Sequence, residues 1–272
     1  MAGACSSPKA GPMPDLWVLH GSWFERVLSK APATANAILR EPPSVILGPH
    51  ITTGGKWIDT ADVWTSAHSF DKNVRRYGDN SAYRHLTSVM FDPEAWDETP
   101  LAEQRDPAIA FDLFSTIARS RGWAVIITPH PSLTSVPGAA CRRSVGESEF
   151  DAYLRCDLTG QAARVADVIE IQAQSLETRP DVYRRFVLAA TSQARAANPD
   201  VKVIAGLTTG TETSAAQMYA AWDSVRDIVD GYYLSINSEE RVPVALAFLR
   251  VLREQLVAYG GLVRCCGLQC RP

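Results

Sequence analysis

The sequence predicts a single α/β domain, a (β/α)8-type TIM barrel that is irregular or incomplete in its N-terminal third. Three observations carry that expectation. Short apolar runs that close in polar or Gly/Pro residues alternate with helical patterns at a spacing of roughly 30 to 40 residues, as repeated parallel βα units require. The length of 272 residues suits one barrel, and 46% hydrophobic residues suffice for its core. Polar residues end many of the runs rather than two neighbouring ones, and no GxGxxG follows the first, which favours a barrel over a doubly wound sheet.

Residues 1–14, rich in Gly, Ala, Ser and Pro, offer little apolar surface and read as a flexible leader. The catalytic-type domain spans 15–262. Its buried-strand runs are 16–20, 45–50, 86–92, 124–130, 168–174, 201–208 and 232–237. Helical patterns cover 107–120, 150–165, 180–197, 214–229 and 243–258, with Pro107 and Pro180 near helix starts and Gly122 and Gly231 just past helix ends. The stretch 53–83 is the least regular. Trp57 and Trp64 there fall in a weak helical pattern, and the segment reads as a long βα loop over the barrel mouth. A Cys-containing tail, 263–272, follows the domain.

With 27 basic and 30 acidic residues the formal net charge is -3, so no global cationic field exists to hold nucleic acid or an anionic membrane. No apolar run approaches the roughly 20 residues that span a bilayer, and the N-terminus lacks a basic n-region and an apolar h-region. A soluble, cytoplasmic protein is expected. The cysteines Cys5, Cys141, Cys156, Cys265, Cys266 and Cys270 form no CxxC pair and no zinc-finger spacing, so reduced thiols are expected. The sequence leaves the oligomeric state open.

In a barrel, chemistry gathers at inward-facing polar residues where strands end. Asp92 and Glu94 share one face at the end of the run 86–92, about 6 to 7 Å apart at Cα by strand rise. Two carboxylates in one partly dry cavity raise one another's pKa, which makes a general acid of one and an electrostatic partner of the other. The plainer alternative has Asp92 capping the turn at Pro93 and Glu94 paired with a basic residue. In the second segment Ile169, Ile171 and Ala173 alternate with Glu170, Gln172 and Gln174. The apolar set must pack on helices, so the polar set faces the axis, as a ligand-binding wall or an internal network. The expected catalytic residues are therefore Glu94, Asp92 and Glu170, and the expected substrate-binding residues are His50, Trp96, His130, Gln172, Gln174, Thr208, Tyr233 and Asn237.

Asp92, Glu94, His130 and Glu170 have the ligand types for a divalent cation such as Mg2+, but no compact metal motif joins them, and no cofactor is expected. Two loops resemble anion cradles: Thr52-Thr53-Gly54-Gly55-Lys56, and Thr208-Thr209-Gly210-Thr211 leading into a helix near Ser214. Neither matches a P-loop. Trp57, Trp64, Trp96, Trp123, Tyr232 and Tyr233 read as core or as a cavity wall that stacks on sugar rings or lines a hydrophobic substrate. The chain has no GxSxG and no cysteine with an assignable histidine and acid, which argues against a covalent Ser or Cys hydrolase.

The run Phe91-Asp92-Pro93-Glu94-Ala95-Trp96-Asp97 resembles the strand-end D-x-E of chitinase-like (family 18) glycoside hydrolases. That resemblance implies Glu94 as general acid and Asp92 as the residue that orients it. Two further acids of that family's D-x-x-D-x-D-x-E pattern are replaced here by Thr87 and Met90. The longer run from Phe91 to Pro100, with Glu103-Gln104-Arg105-Asp106-Pro107, Glu170-Ile171-Gln172-Ala173-Gln174 and Val203-Ile204-Ala205-Gly206-Leu207-Thr208-Thr209, looks like a family of bacterial barrel proteins with no assigned activity. This likeness covers residues 85–255 and implies the barrel.

The expected function is a glycoside-hydrolase-like barrel enzyme using carboxylate acid/base chemistry on a small-molecule or saccharide substrate. One alternative is a lyase, isomerase or cyclase of small-molecule, specialised metabolism that uses the same acid, with Mg2+ assisting. Another is a non-catalytic ligand-binding barrel.

Overall fold

The computed structural model describes residues 16–39, 44–47, 58–63, 87–210 and 212–267. Eight parallel strands pair in sequence order: β1 (Leu16–His20), β2 (Ser44–Leu47), β3 (Ile58–Val63), β4 (Ser88–Phe91), β5 (Ala124–Ile127), β6 (Val168–Ile171), β7 (Lys202–Thr208) and β8 (Gly231–Ser235). β8 returns to pair with β1, so the ring closes. The expected fold class holds. The third of the chain expected to be irregular supplies β1, β2 and β3, and the last of these is a correction. Ile58–Val63 lies inside the stretch read as a loop with a helical pattern, yet it pairs with both β2 and β4. Its sequence, Ile-Asp-Thr-Ala-Asp-Val, is broken by Asp59 and Asp62, so a search for apolar runs passes over it.

The described helices are α1 (Gly21–Lys30), α2 (Pro32–Leu39), α3 (Leu101–Arg105), α4 (Pro107–Arg119), α5 (Glu149–Arg155), α6 (Leu158–Ala163), α7 (Pro180–Ala197), α8 (Ala215–Val225) and α9 (Val242–Gly267). Proline occupies the first turn of α4 and of α7, where a missing N–H costs no hydrogen bond. The single helix expected over 150–165 is instead α5 and α6, broken where Asp157 takes a left-handed conformation at φ 53. The break adjoins a disulfide between Cys141 and Cys156, whose Cα atoms are 5.7 Å apart. This corrects the expectation of reduced thiols. The loop before α5 folds back through Arg143 N–H to the Thr134 carbonyl at 2.7 Å, and Arg155 holds the Arg142 carbonyl at 2.8 Å, which brings the cysteines together. α9 runs past residue 262 and takes in Cys265 and Cys266.

Alternation along the strands builds two apolar layers. Outward-facing Trp17, Phe91, Ile127, Ile171 and Leu234 pack beneath the helices with Phe111, Phe114, Tyr183 and Phe248. Phe91 stacks on Phe114 at 4.9 Å. Each such burial contributes about 1.5 to 3 kcal/mol. Inside the ring, Val18, Met90, Ile126, Ile204 and Tyr233 form an apolar plug, with Leu16 and Val168 against it. Two residues further along each strand direction, the same inward parity delivers His20, Asp92, Thr128, Glu170, Gly206 and Ser235. The plug is thus the floor on which the polar residues of the C-terminal rim stand. Among the described residues no helix is long and apolar enough to cross a membrane.

Candidate active site

Asp92 is held from two strands. The Thr128 hydroxyl donates to its Oδ1 at 2.7 Å, and the Gln172 amide nitrogen donates to the same oxygen at 2.6 Å. The second Gln172 N–H goes to the Thr128 carbonyl at 2.8 Å. A carbonyl can only accept, so the orientation of the Gln172 amide is fixed and its nitrogen faces Asp92. Burial pushes the Asp92 carboxyl up to about 6, against the two hydrogen bonds that favour its charged form. Glu94 is raised further, to about 7, by burial and then by the negative charge of Asp92. No ion pair joins either carboxylate to a basic residue of the described chain. Among the described residues the two carboxyls thus face one another's charge without a basic partner.

The loop that carries Glu94 is tied to itself. Thr99 Oγ1 accepts the Glu94 N–H at 3.4 Å and the Trp96 indole N–H at 2.8 Å. The buried Gln104 amide reaches the Trp96 carbonyl at 2.6 Å and the Thr99 carbonyl at 2.5 Å. Trp96 itself is 38% exposed beside the pair.

Glu170 and Gln174 form a second inward pair, with the Gln174 amide donating to Glu170 Oε1 at 3.0 Å. Gly206 makes room for it: a Cβ there would lie 2.5 Å from the Gln174 amide nitrogen. The expected inward set of Glu170, Gln172 and Gln174 is thus in place, and Gln172 belongs to two groups, since it holds Asp92 and borders the adjoining cavity. That cavity measures about 590 Å³ and is lined by His130, Gln172, Gln174, Thr208, Ser235 and Asn237, among others. Among the described residues its one carboxylate is that of Glu212. Glu94 is not part of its wall.

The far wall is braced from behind. The Thr208 hydroxyl donates to Asn237 Oδ1, and the Asn237 N–H reaches Thr209 Oγ1 at 3.2 Å. Arg241 donates to the Thr209 carbonyl at 2.5 Å and to the Thr213 carbonyl. At the start of α8, two of the amides expected to face an anion, those of Ser214 and Gln217, are engaged in a capping box.

Of the remaining expectations, His50, Trp57, Trp64 and the loop 52–56 lie outside the described residues. Tyr233 sits in the apolar plug, edge-on to His20 at 6.2 Å, rather than in the cavity wall. Tyr232 faces outward and donates to the Trp222 carbonyl at 2.8 Å, and Trp123 packs against the outer core. Strand alternation decides these positions. Among the described residues no three His, Cys, Asp or Glu side chains stand together as a metal site, so the cation considered for Asp92, Glu94, His130 and Glu170 has no cluster to hold it.

Four residues at the rim were not singled out from the sequence: His20, Thr128, Ser235 and Glu177. The first three follow plug residues at a spacing of two, a signal that was present and unused. Burial lowers the pKa of His20. Glu177 gave no signal. Its side chain is 0% exposed, Oε1 accepts the Thr208 N–H at 2.8 Å, and Oε2 has no partner. Burial raises its carboxyl to about 7. It sits in the loop after β6, two residues beyond Ser175, which adopts φ 78.

No family model matches the chain, and no curated protein matches it. The bacterial family expected from the sequence therefore finds no counterpart there. Among solved structures the chain is similar to a sugar phosphate isomerase/epimerase from Parabacteroides distasonis at 10% identity, with 92% of this chain and 98% of that one covered and a TM-score of 0.49. It is also similar to a chitinase from Chromobacterium violaceum at 9% identity, 89% and 98% coverage and TM-score 0.49. A triosephosphate isomerase from Bartonella henselae gives 11% identity, 89% and 100% coverage and TM-score 0.47. Likeness at this level carries nothing about the reaction.

Proposed function

We propose that this chain is a barrel enzyme that uses carboxylate acid/base chemistry on a neutral, polyhydroxylated small molecule of saccharide type, with Glu94 as proton donor and Asp92 as its electrostatic partner. One observation carries the reading: a carboxyl raised to about 7 stands beside a carboxylate whose position Thr128 and Gln172 fix. Of the two, Asp92 gives up its proton first and Glu94 keeps its own to higher pH, toward neutrality, which is where a general acid works best. Glu94 hands its proton to a leaving oxygen, and the Asp92 anion stabilises positive charge that develops nearby. Glu170, Gln172 and Gln174 orient the substrate.

The cavity supports a saccharide-type ligand. Among the described residues its wall offers hydroxyls and amides, which pair with sugar hydroxyls, and no Lys or Arg that would select a phosphate. The rival lyase, isomerase or cyclase reading calls for aromatic walls around a less polar metabolite, and among the described residues the one ring in this wall is that of His130. The Cys141–Cys156 bond favours an oxidising compartment over the reducing cytoplasm expected from the sequence.

The test is an assay of the purified chain against a panel of aryl glycosides, beside Glu94→Gln and Asp92→Asn. Turnover that falls by about 100-fold or more in Glu94→Gln supports the reading. Binding without turnover assigns the chain to the non-catalytic barrels, and full activity in Glu94→Gln removes the proposed donor.

A further inference from the structure

We propose that His130 is a second catalytic group: a neutral imidazole whose Nε2–H meets the departing oxygen of the substrate and stabilises the partial negative charge that oxygen takes up as its bond breaks, until the Glu94 proton reaches it. The inference deepens the acid/base reading of the Glu94 site and rests on it.

The tautomer follows from the partners of the other ring nitrogen. His130 Nδ1 accepts the backbone N–H of Ser132 at 3.1 Å, and a backbone amide can only donate. The Ser132 hydroxyl lies 2.7 Å from the same nitrogen. That hydroxyl oxygen already accepts the Ala95 N–H at 3.1 Å, which leaves its own hydrogen for the ring. Nδ1 is therefore an acceptor, and the single proton of the neutral ring sits on Nε2. Nε2 has no hydrogen-bond partner among the described residues, and the ring borders the cavity. Burial lowers the His130 pKa against an opposing pull from Glu149, which keeps the ring neutral at pH 7.

The backbone also holds the imidazole in register with Glu94. The His130 N–H donates to the Pro93 carbonyl at 3.3 Å, and Ser132 ties the following turn to Ala95. Glu94 lies between those two attachment points. Pro129 and Pro131 restrict the backbone on either side of the ring. The division of labour is chemically consistent. No bond to His130 is made or broken, its proton stays on Nε2, and the transferred proton comes from Glu94. A preorganised neutral donor is worth most where charge develops in a site shielded from water. Among the described residues the wall carries no Lys or Arg to balance the charge of a phosphate, so a neutral sugar oxygen is the expected partner.

The experiment uses the full chain labelled with [15N]histidine and reads the two-bond 1H–15N correlations at pH 7, with His130→Gln to assign the ring. The expected pattern is the Nε2–H tautomer, shifted by N-acetyl-D-glucosamine or D-glucose and unmoved by inorganic phosphate. An Nδ1–H tautomer, an imidazolium at pH 7, no shift with either sugar, or a shift with phosphate alone overturns the proposal. On any aryl glycoside that turns over, His130→Ala is expected to lower kcat by about 100-fold with little change in KM, while His130→Gln, which keeps an N–H donor, recovers part of it. An equal fall in KM-controlled binding for both variants overturns the catalytic role. Glu94→Gln leaves the His130 tautomer and its sugar-induced shift in place, so failure of the Glu94 reading shows in activity alone and failure of this one shows in the ring spectra.

Discussion

The Gln172 amide nitrogen lies 2.6 Å from Asp92 Oδ1 and joins the rims of β6 and β4 across a separation of 80 residues. This bond makes the carboxylate pair a property of the closed ring rather than of the local turn. Gln172→Ala removes a donor from a half-buried carboxylate, which costs about 1 to 3 kcal/mol and also pushes the Asp92 pKa up toward that of Glu94. Urea denaturation and the pH profile of turnover should both move. A stability loss with an unchanged profile would leave Gln172 a purely structural residue.

Glu177 should make the fold lose stability as pH rises. Its folded-state carboxyl is raised to about 7 from an ordinary value of 4.5, so the folded chain holds a proton that the unfolded chain has released. The associated stability is fully present below about 4.5 and is lost as pH climbs through about 7. The shift corresponds to about 3 kcal/mol as an upper figure. Glu177→Gln keeps the acceptor for Thr208 and removes the titration, so its Tm should exceed that of the parent at pH 8 and match it at pH 5. Parallel Tm curves for the two proteins would refute the assignment.

Gly206→Ala places a methyl 2.5 Å from the Gln174 amide. The flexible end of Gln174 must leave Glu170, at about 1 to 3 kcal/mol for the crowding. Weaker ligand binding together with a lowered Tm is expected, and an unaltered affinity would show that the Gln174–Glu170 pair does not face substrate.

Reducing the Cys141–Cys156 bond opens a loop with a sequence separation of 15, which in the chain-entropy account costs about 3 kcal/mol. Thermal denaturation with and without dithiothreitol measures it. Cys141→Ser should reproduce the reduced Tm and leave turnover intact, because neither cysteine borders the cavity.

Chelation should leave activity unchanged, since the chemistry assigned to Glu94 and Asp92 needs no cation. Loss of turnover in EDTA with recovery on adding Mg2+ would contradict that assignment.

What was legible in the sequence was what alternation and punctuation encode. The bounds of β1 and α7 coincide with the sequence reading, and the inward set Glu170, Gln172 and Gln174 follows from strict alternation with Ile169, Ile171 and Ala173. The Asp92–Glu94 pair was proposed from a spacing of two, and although both lie past the end of β4 at Phe91, the charge of Asp92 still reaches Glu94. β3 was not readable, because its Asp59 and Asp62 hide a strand from an apolar-run criterion. Glu177 was invisible for a different reason. Its burial arises only when the loop after β6 meets the end of β7, and no periodicity within the loop foretells that meeting. The Cys141–Cys156 bond has the same origin, in a fold-back that a bare spacing does not specify.

The most direct test of the account is the carboxyl titration of Glu94, followed by side-chain 13C shifts in the parent chain and assigned with Glu94→Gln. A midpoint near pH 7, falling toward the ordinary value when Asp92 is replaced by Asn, is the predicted result. A Glu94 midpoint near 4.5 that ignores Asp92→Asn would mean that this carboxyl is an ordinary surface anion at neutral pH and no proton donor.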